Sequence, residues 1–263
     1  MPPAMHPEAP KRRRGSDVAA AAVILTVLVL GGALWLRRHP LNQAPAPAPA
    51  GLPDDWLPTV RNPEPTPALK AVQARFDSAP DDATRHLALT AAGEQGEPAG
   101  VLWLARIAAQ DPRVGRWAED ALARVKNRAS ALELGDVATS KGPPRVRAAA
   151  IRALGRAGEL AQAAQLSAVI ATPGEPMVVR QSAAVALGLI GLPGAVPALT
   201  TALSGAAGDG THDGEELRVL IVQALARLGT PAAHDAIVAH GQRALAPRER
   251  AVVDSALATP PKP

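Results

Sequence analysis

Between residues 114 and 258 the apolar side chains return every three or four positions, and the whole pattern repeats at intervals of 32, 33, 38 and 32 residues. Four segments align without gaps: VGRWAEDALARVKN from Val114, VRAAAIRALGRAGE from Val146, VRQSAAVALGLIGL from Val179 and LRVLIVQALARLGT from Leu217. A shorter fifth copy, ERAVVDSALA, starts at Glu249. In the third copy the stripe is Val179, Ala183, Ala186, Leu187 and Ile190; in the fourth it is Leu217, Leu220, Ile221, Ala224, Leu225 and Leu228. In the first, Val114, Trp117, Ala118, Ala121, Leu122 and Val125 share one face. At 3.6 residues per turn this spacing predicts one amphipathic α-helix per copy. Gly158, Gly191 and Gly229 follow the copies, where a left-handed residue ends a helix. A second helix is expected after each glycine, carrying Leu166 and Ile170, then Val196, Leu199 and Leu203, then Ile237. Pro193 and Pro231 stand at its start, where a missing N–H costs little. The long interval contains SGAAGDGTHDG (204–214), whose glycines and polar residues predict a loop insertion. A single helix pair cannot bury its apolar face, so the copies must stack.

The N-terminal part follows other patterns. Residues 18–36, VAAAAVILTVLVLGGALWL, are uncharged and apolar on every face. Nineteen residues in a helix reach about 28 Å, close to the hydrocarbon thickness of a bilayer, so a transmembrane helix is expected, with Trp35 as an interfacial anchor. Lys11, Arg12, Arg13 and Arg14 before the run outweigh Arg37 and Arg38 after it. That places the N-terminus in the cytoplasm and the chain after residue 39 outside; the small margin keeps the inverted topology, a cytoplasmic regulatory adaptor, as an alternative. A cleaved signal peptide is the other alternative. Against it, the run exceeds the usual apolar core of such peptides, Arg37-Arg38-His39-Pro40 follows it, and the A-x-A at Ala44–Ala46 is distant.

Residues 40–67 hold nine prolines, including APAPAPA at 44–50, and cannot form a helix or a central strand. As extended polyproline II this spacer reaches up to about 80 Å. Trp56 and Leu57 in it either form a docking motif or pack on the first helices. Helices are expected within 66–92, where Leu69, Val72, Phe76, Leu87 and Leu89 supply apolar positions. The expected organisation is a basic tail (1–17), a transmembrane helix (18–36), a Pro/Ala-rich linker (37–67), a helical cap or degenerate repeat (68–96), the repeat domain (97–258) and a disordered tail (259–263).

Composition narrows the class. Hydrophobic residues are 47% of the chain but aromatics only 2%, so the apolar content is mostly Ala, Leu and Val, which suits close-packed helices rather than sheets. There is no cysteine, which excludes disulfides, thiolate metal sites and a Cys nucleophile. Much of the net charge of +4 comes from the four basic residues at 11–14. A nucleic-acid binder would carry its basic patch, with stacking aromatics, on the folded domain. Arg greatly outnumbers Lys and Ala and Pro abound, a composition of GC-rich bacterial genomes.

The recurring V-R-x-x-A-A-x-A-L-G-x-x-G resembles the HEAT repeat, in particular the subclass named after phycobilin lyases. The resemblance covers residues 97–258 and implies an all-α, armadillo-like α-solenoid of helix pairs. Arg147, Arg180, Arg218 and Arg250 match the family's arginine after the first apolar residue, which implies a structural column bridging adjacent repeats. Gly115 replaces that arginine in the first copy and Glu249 replaces the leading Val in the last; terminal repeats diverge where one face meets solvent, so both copies are expected to be caps. The resemblance further implies that the VRxxAAxALG helices line a concave groove. Its candidate partner-binding positions are Arg116, Glu119, Arg124, Arg152, Arg156, Gln181, Gln223 and Arg227. Arg124, Arg156 and Arg227 are equivalent, with Leu189 as the exception. A column of guanidinium groups suits carboxylates; the plainer reading is a solvated helix face in which cations complement helix C-termini.

No catalytic, cofactor or metal site is expected. His234 and His240 are six apart, not the i, i+4 of paired ligands, and no His-Glu dipeptide of the kind used by HEAT-like hydroxylases for iron occurs. DGTHDGEE (209–216) gathers oxygen ligands without EF-hand spacing. GxSxG, Walker A and GxGxxG motifs are absent. Few aromatics stand ready to sandwich a bilin, so lyase-like or other enzymatic activity is the lesser alternative. The chain is expected to be a non-enzymatic, membrane-anchored scaffold on the extracytoplasmic side, binding an unidentified protein partner and no nucleic acid, cofactor or small-molecule substrate.

Overall fold

The computed structural model describes Trp56, Leu57 and residues 63–261, and every regular element among them is helical. The run 18–36 and most of the linker lie outside these residues. Among the described residues no helix is long and apolar enough to cross a membrane. All of them belong to one compact unit, Ala48–Pro263.

The helices are α1 (Pro67–Asp77), α2 (Asp82–Gln95), α3 (Pro98–Gln110), α4 (Gly115–Arg124), α5 (Ala131–Thr139), α6 (Pro144–Ala157), α7 (Ala163–Ala171), α8 (Met177–Ile190), α9 (Val196–Gly205), α10 (His212–Leu228), α11 (Pro231–Gly241) and α12 (Pro247–Leu257). They form two rows. α2, α4, α6, α8, α10 and α12 pack side by side in that order, and α3, α5, α7, α9 and α11 form the second row behind them. The apolar stripes meet between the rows: Val146, Leu154, Val179, Leu187, Leu217 and Leu225 are fully buried against Leu166, Ile170 and Leu199. α1 covers the open end, where Phe76 meets Trp103 edge to face and His86 stacks on Trp117.

Local chemistry sets the helix ends. Thr66, Asp81, Thr211 and Thr230 each accept a backbone N–H in the first turn of the helix that follows, satisfying a donor the helix leaves unpaired. Gly158, Gly191 and Gly229 are left-handed, as their place in the repeat predicts, and so is Gly96 at the end of α2. That fourth glycine marks α2 as the same kind of helix although its sequence has lost the V-R signature. The copy beginning at Val114 is therefore internal and not a terminal cap. Gly115 replaces arginine there for a steric reason: a Cβ at Gly115 would sit 3.0 Å from the Ala108 carbonyl oxygen of α3, so the backbone occupies the place where an arginine would reach.

The glycine closing the A-L-G motif has a separate purpose. A Cβ on Gly155 would lie 2.6 Å from Ala186 Cα, and one on Gly188 would lie 2.9 Å from Ala224 Cα. Neighbouring first-row helices thus touch backbone to backbone at this level, which only a glycine permits.

The loop expected over 204–214 is shorter than its composition predicts. α9 runs to Gly205 and α10 begins at His212, so five of the insertion's residues are helical. Thr211 caps α10, and Asp209 holds Thr211 by its N–H at 2.9 Å and its hydroxyl at 2.6 Å. Asp213 and Glu215 in the first turn favour the helix's positive end. Thr259, Pro260 and Pro261 line a small cavity of about 100 Å³ together with Leu225, His234 and Ile237.

Candidate functional site

Four arginines stand one residue after the leading apolar position of their helices. Arg147 Nε donates to Ala138 O at 3.0 Å, Arg180 Nε to Ile170 O at 3.3 Å, Arg218 to Ala206 O at 2.9 Å and Arg250 to Gly241 O at 2.8 Å. Each acceptor is a carbonyl at the end of the preceding second-row helix, one of those a helix cannot pair internally. Two of the arginines reach onward as well. Arg147 pairs with Glu175 ahead of α8 at 2.8 Å, and Arg218 pairs with Glu249 of α12 at 2.9 Å. Burial disfavours the charged form of Arg180 and lowers its pKa, with Asp209 opposing the shift.

Glu249 stands where the other copies have Val or Leu, and it is not solvated: only 1% of it is exposed. It accepts from Arg218 Nε and Nη2 at 2.9 and 3.2 Å and pairs with His240 Nε2 at 2.6 Å. Burial pushes its pKa up, but the hydrogen bonds and charges of Arg218 and His240 outweigh that and leave it lowered. The expectation that Glu249 diverges because it faces solvent is thus overturned. The signal was available in the sequence: an acid in a core position of a repeat whose neighbour supplies an arginine at the equivalent next position.

The other candidate positions lie on the outward side of the first row and are gathered into three open clefts. Arg116, Glu119 and Arg152 line the first, with Asp120, Arg145 and Val178, in about 410 Å³. Arg124 and Arg156 line the second, with Lys126, Gly158 and Leu189, in about 560 Å³. Gln223 and Arg227 line the third, with Val252 and Ser255, in about 420 Å³. Gln181 lies in none of them; its amide donates to Asp213 O at 3.2 Å and links α8 to the start of α10.

The clefts differ in chemistry. In the first, Glu119 is half-buried and burial raises its pKa against the opposing charges of Arg145, Arg116 and Arg152; burial likewise lowers the pKa of Arg152. Among the described residues none of these groups forms an ion pair within 4.0 Å. In the second, Arg156 donates to Ala123 O at 2.7 Å, and beside it Arg128 donates to Ala157 O at 3.4 Å, so two cations cap helix C-termini. Arg124 and Lys126 project freely, and Leu189, 46% exposed, supplies an apolar edge. Such a surface can take carboxylates beside an apolar side chain. No three His, Cys, Asp or Glu side chains converge as a metal site among the described residues.

A family model described as HEAT repeats matches residues 69–155 and 131–210, together more than half of the chain. No curated protein matches. Sixteen chains of solved structures match. One of these is human deoxyhypusine hydroxylase in complex with glycerol, at 16% identity and a TM-score of 0.30, covering 73% of this chain and 96% of that one. This finding corrects the expectation that the chain is not an enzyme, because a structure it resembles is that of a hydroxylase. A likeness this distant assigns the chain no activity of its own. The repeat match and the all-helical two-row stack agree, and the chain belongs to the HEAT-repeat family.

Proposed function

We propose that this chain is a membrane-anchored repeat scaffold that binds a protein partner along the outward face of its first-row helices. The observation that carries the reading is the succession of three open clefts on that face, each lined by charged or amide side chains from positions outside the core. Arg124, Arg227 and Lys126 favour an acidic segment of the partner, since guanidinium groups hold carboxylates through two parallel hydrogen bonds. The uncharged run 18–36 supplies the anchor, and the basic residues 11–14 hold the N-terminus in the cytoplasm. The repeats then stand on the extracytoplasmic side of a bacterial inner membrane. The V-R-x-x-A-A-x-A-L-G pattern supports the phycobilin-lyase type as the subclass of the repeats.

The test is in-membrane cross-linking of the full chain, comparing the natural sequence with Arg124→Glu/Arg227→Glu. Loss of a defined cross-linked partner, with the melting temperature held within a few degrees, supports the face. An unchanged cross-link rejects it. A reporter active only outside the cytoplasm, fused after Pro263, tests the topology: activity supports the proposed orientation, and activity of a cytoplasmic reporter in its place reverses it.

A further inference from the structure

Trp56 and Leu57 stand between Pro53 and Pro58, ten residues ahead of α1, in a stretch composed as a spacer. Both are nevertheless buried, at 4% and 5% exposure, and belong to the same apolar cluster as the repeat core. The indole lies over Gly142 in the connection between α5 and α6, so closely that a Cβ on Gly142 would overlap ring atoms Cζ3 and Cε3. The turn beneath the ring is tied down. Gly142 N–H donates to Ser140 Oγ at 3.1 Å, and that hydroxyl donates to Val137 O at 2.8 Å. The next repeat offers an internal comparison. Gly174 holds the matching place between α7 and α8, in TPGEP against SKGPP, and a Cβ there would meet nothing within 4 Å. The seat at Gly142 is filled and its counterpart is open.

We infer that Trp56 and Leu57 strap the linker onto the repeat stack, so that the chain arriving from the apolar run reaches the repeats first at the α5–α6 connection and only afterwards at α1. An indole offers a large flat apolar face for one residue, and a glycine without a Cβ lets that face rest directly on the backbone. The strap divides the tether. With Trp56 seated, 19 residues (37–55) separate the apolar run from the first contact with the repeats; with it released, 30 residues (37–66) do. At about 3.3–3.6 Å per extended residue this changes the greatest reach from about 65 Å to about 105 Å. Release of one side chain therefore lengthens the tether by more than half.

The test uses the full chain in mild detergent, labelled with fluorotryptophan and observed by fluorine NMR. The four tryptophans give four lines, and Trp56→Phe identifies the one that matters. The expected Trp56 line is displaced from the free-indole position and shows little solvent-isotope shift. Gly142→Ala should move it to the free position with a full isotope shift, and Gly174→Ala should leave it in place. Leu57→Asp lies in the strap itself and should release Trp56 even if Gly142→Ala fails to fold. A free-indole line in the unaltered chain overturns the inference. So does a displaced line that both Gly142→Ala and Leu57→Asp leave unmoved, or one that relaxes on dilution, which would assign the seat to a second copy.

Discussion

Two sets of arginines stand on the same row of helices, at opposite ends, and they behave differently. Arg147, Arg180 and Arg218 sit near the starts of α6, α8 and α10 and are buried; Arg124, Arg156 and Arg227 sit near the ends of α4, α6 and α10 and are exposed. Both sets lie close to helix C-termini, where backbone carbonyls carry partial negative charge. The first set meets the ends of second-row helices inside the stack, while Arg156 meets the end of its first-row neighbour at the surface. What separates them is solvent. A buried guanidinium must have every partner in place, because its desolvation is offset only by full pairing, whereas an exposed one can exchange its carbonyl for water or for a ligand. The buried set is therefore committed to the fold, and only the exposed set is available to a partner.

The largest effect should come from breaking the buried set where it is most elaborate. Arg218→Ala leaves Glu249 buried with His240 alone and should cost about 3–5 kcal/mol, measured from the urea midpoint by circular dichroism. Arg218→Met/Glu249→Val restores an apolar residue where the other copies have one and should lose less than Arg218→Ala. A double variant as unstable as the single would mean that the site depends on packing and not on an uncompensated charge.

Acid should reveal the same group. The folded-state pKa of Glu249 lies below its ordinary value of 4.5, so its stabilising contribution is complete above that value. It is lost as pH falls through the lower folded value, because the unfolded chain takes up the proton first. The unfolding free energy of the natural chain should thus decline more steeply below about pH 4.5 than that of Glu249→Gln. Parallel curves would remove Glu249 from the acid response.

A smaller effect concerns the level at which first-row helices touch. Gly155→Ala drives a Cβ into the Ala186 backbone and should cost about 1–3 kcal/mol from overpacking. Gly205→Ala, in the last turn of α9 with nothing within 4 Å, should instead gain up to about 1 kcal/mol through helix propensity. Equal outcomes would show that the glycine of the A-L-G motif is not set by close approach.

These contrasts show what the sequence could and could not disclose. One helix per copy, its stripe and the three left-handed glycines were legible because periodicity and capping are local, and most stripe residues are buried. The degenerate α2 was not recognised as a first-row helix because its pairing depends on Gly96 and on Gly93 facing Ala121, not on the V-R signature. Gly115 and Glu249 were misread as terminal divergence although each compensates a specific neighbour: the Ala108 carbonyl, which only the packed stack brings near, and Arg218, which the repeat register alone could have supplied. The candidate face could be listed from the non-core positions. Which of its arginines is already engaged could not, since the acceptor for Arg156 is a carbonyl 33 residues away.

That last distinction gives the finest test. Arg156 and Arg227 occupy equivalent places in their copies, but Arg156 donates to Ala123 O at 2.7 Å, whereas Arg227 takes no ion pair among the described residues and rests its Cδ 3.7 Å from the place of a Gly188 Cβ. Arg156→Ala should cost about 0.5–1.5 kcal/mol, the usual net worth of a hydrogen bond, discounted toward the lower figure because the side chain is exposed. Arg227→Ala should fall within about 0.5 kcal/mol of the natural chain, as surface substitutions without a partner do. Arg156→Lys separates charge from geometry, because a lysine keeps the cation but loses the planar fork that reaches the carbonyl. If Arg156→Lys matches the natural chain, the cation alone is what the end of α4 requires, and the two arginines differ only in distance from a helix terminus. If it matches Arg156→Ala, the hydrogen bond is the difference, and Arg227, having none to give up, is, like Arg124, free to bind a partner.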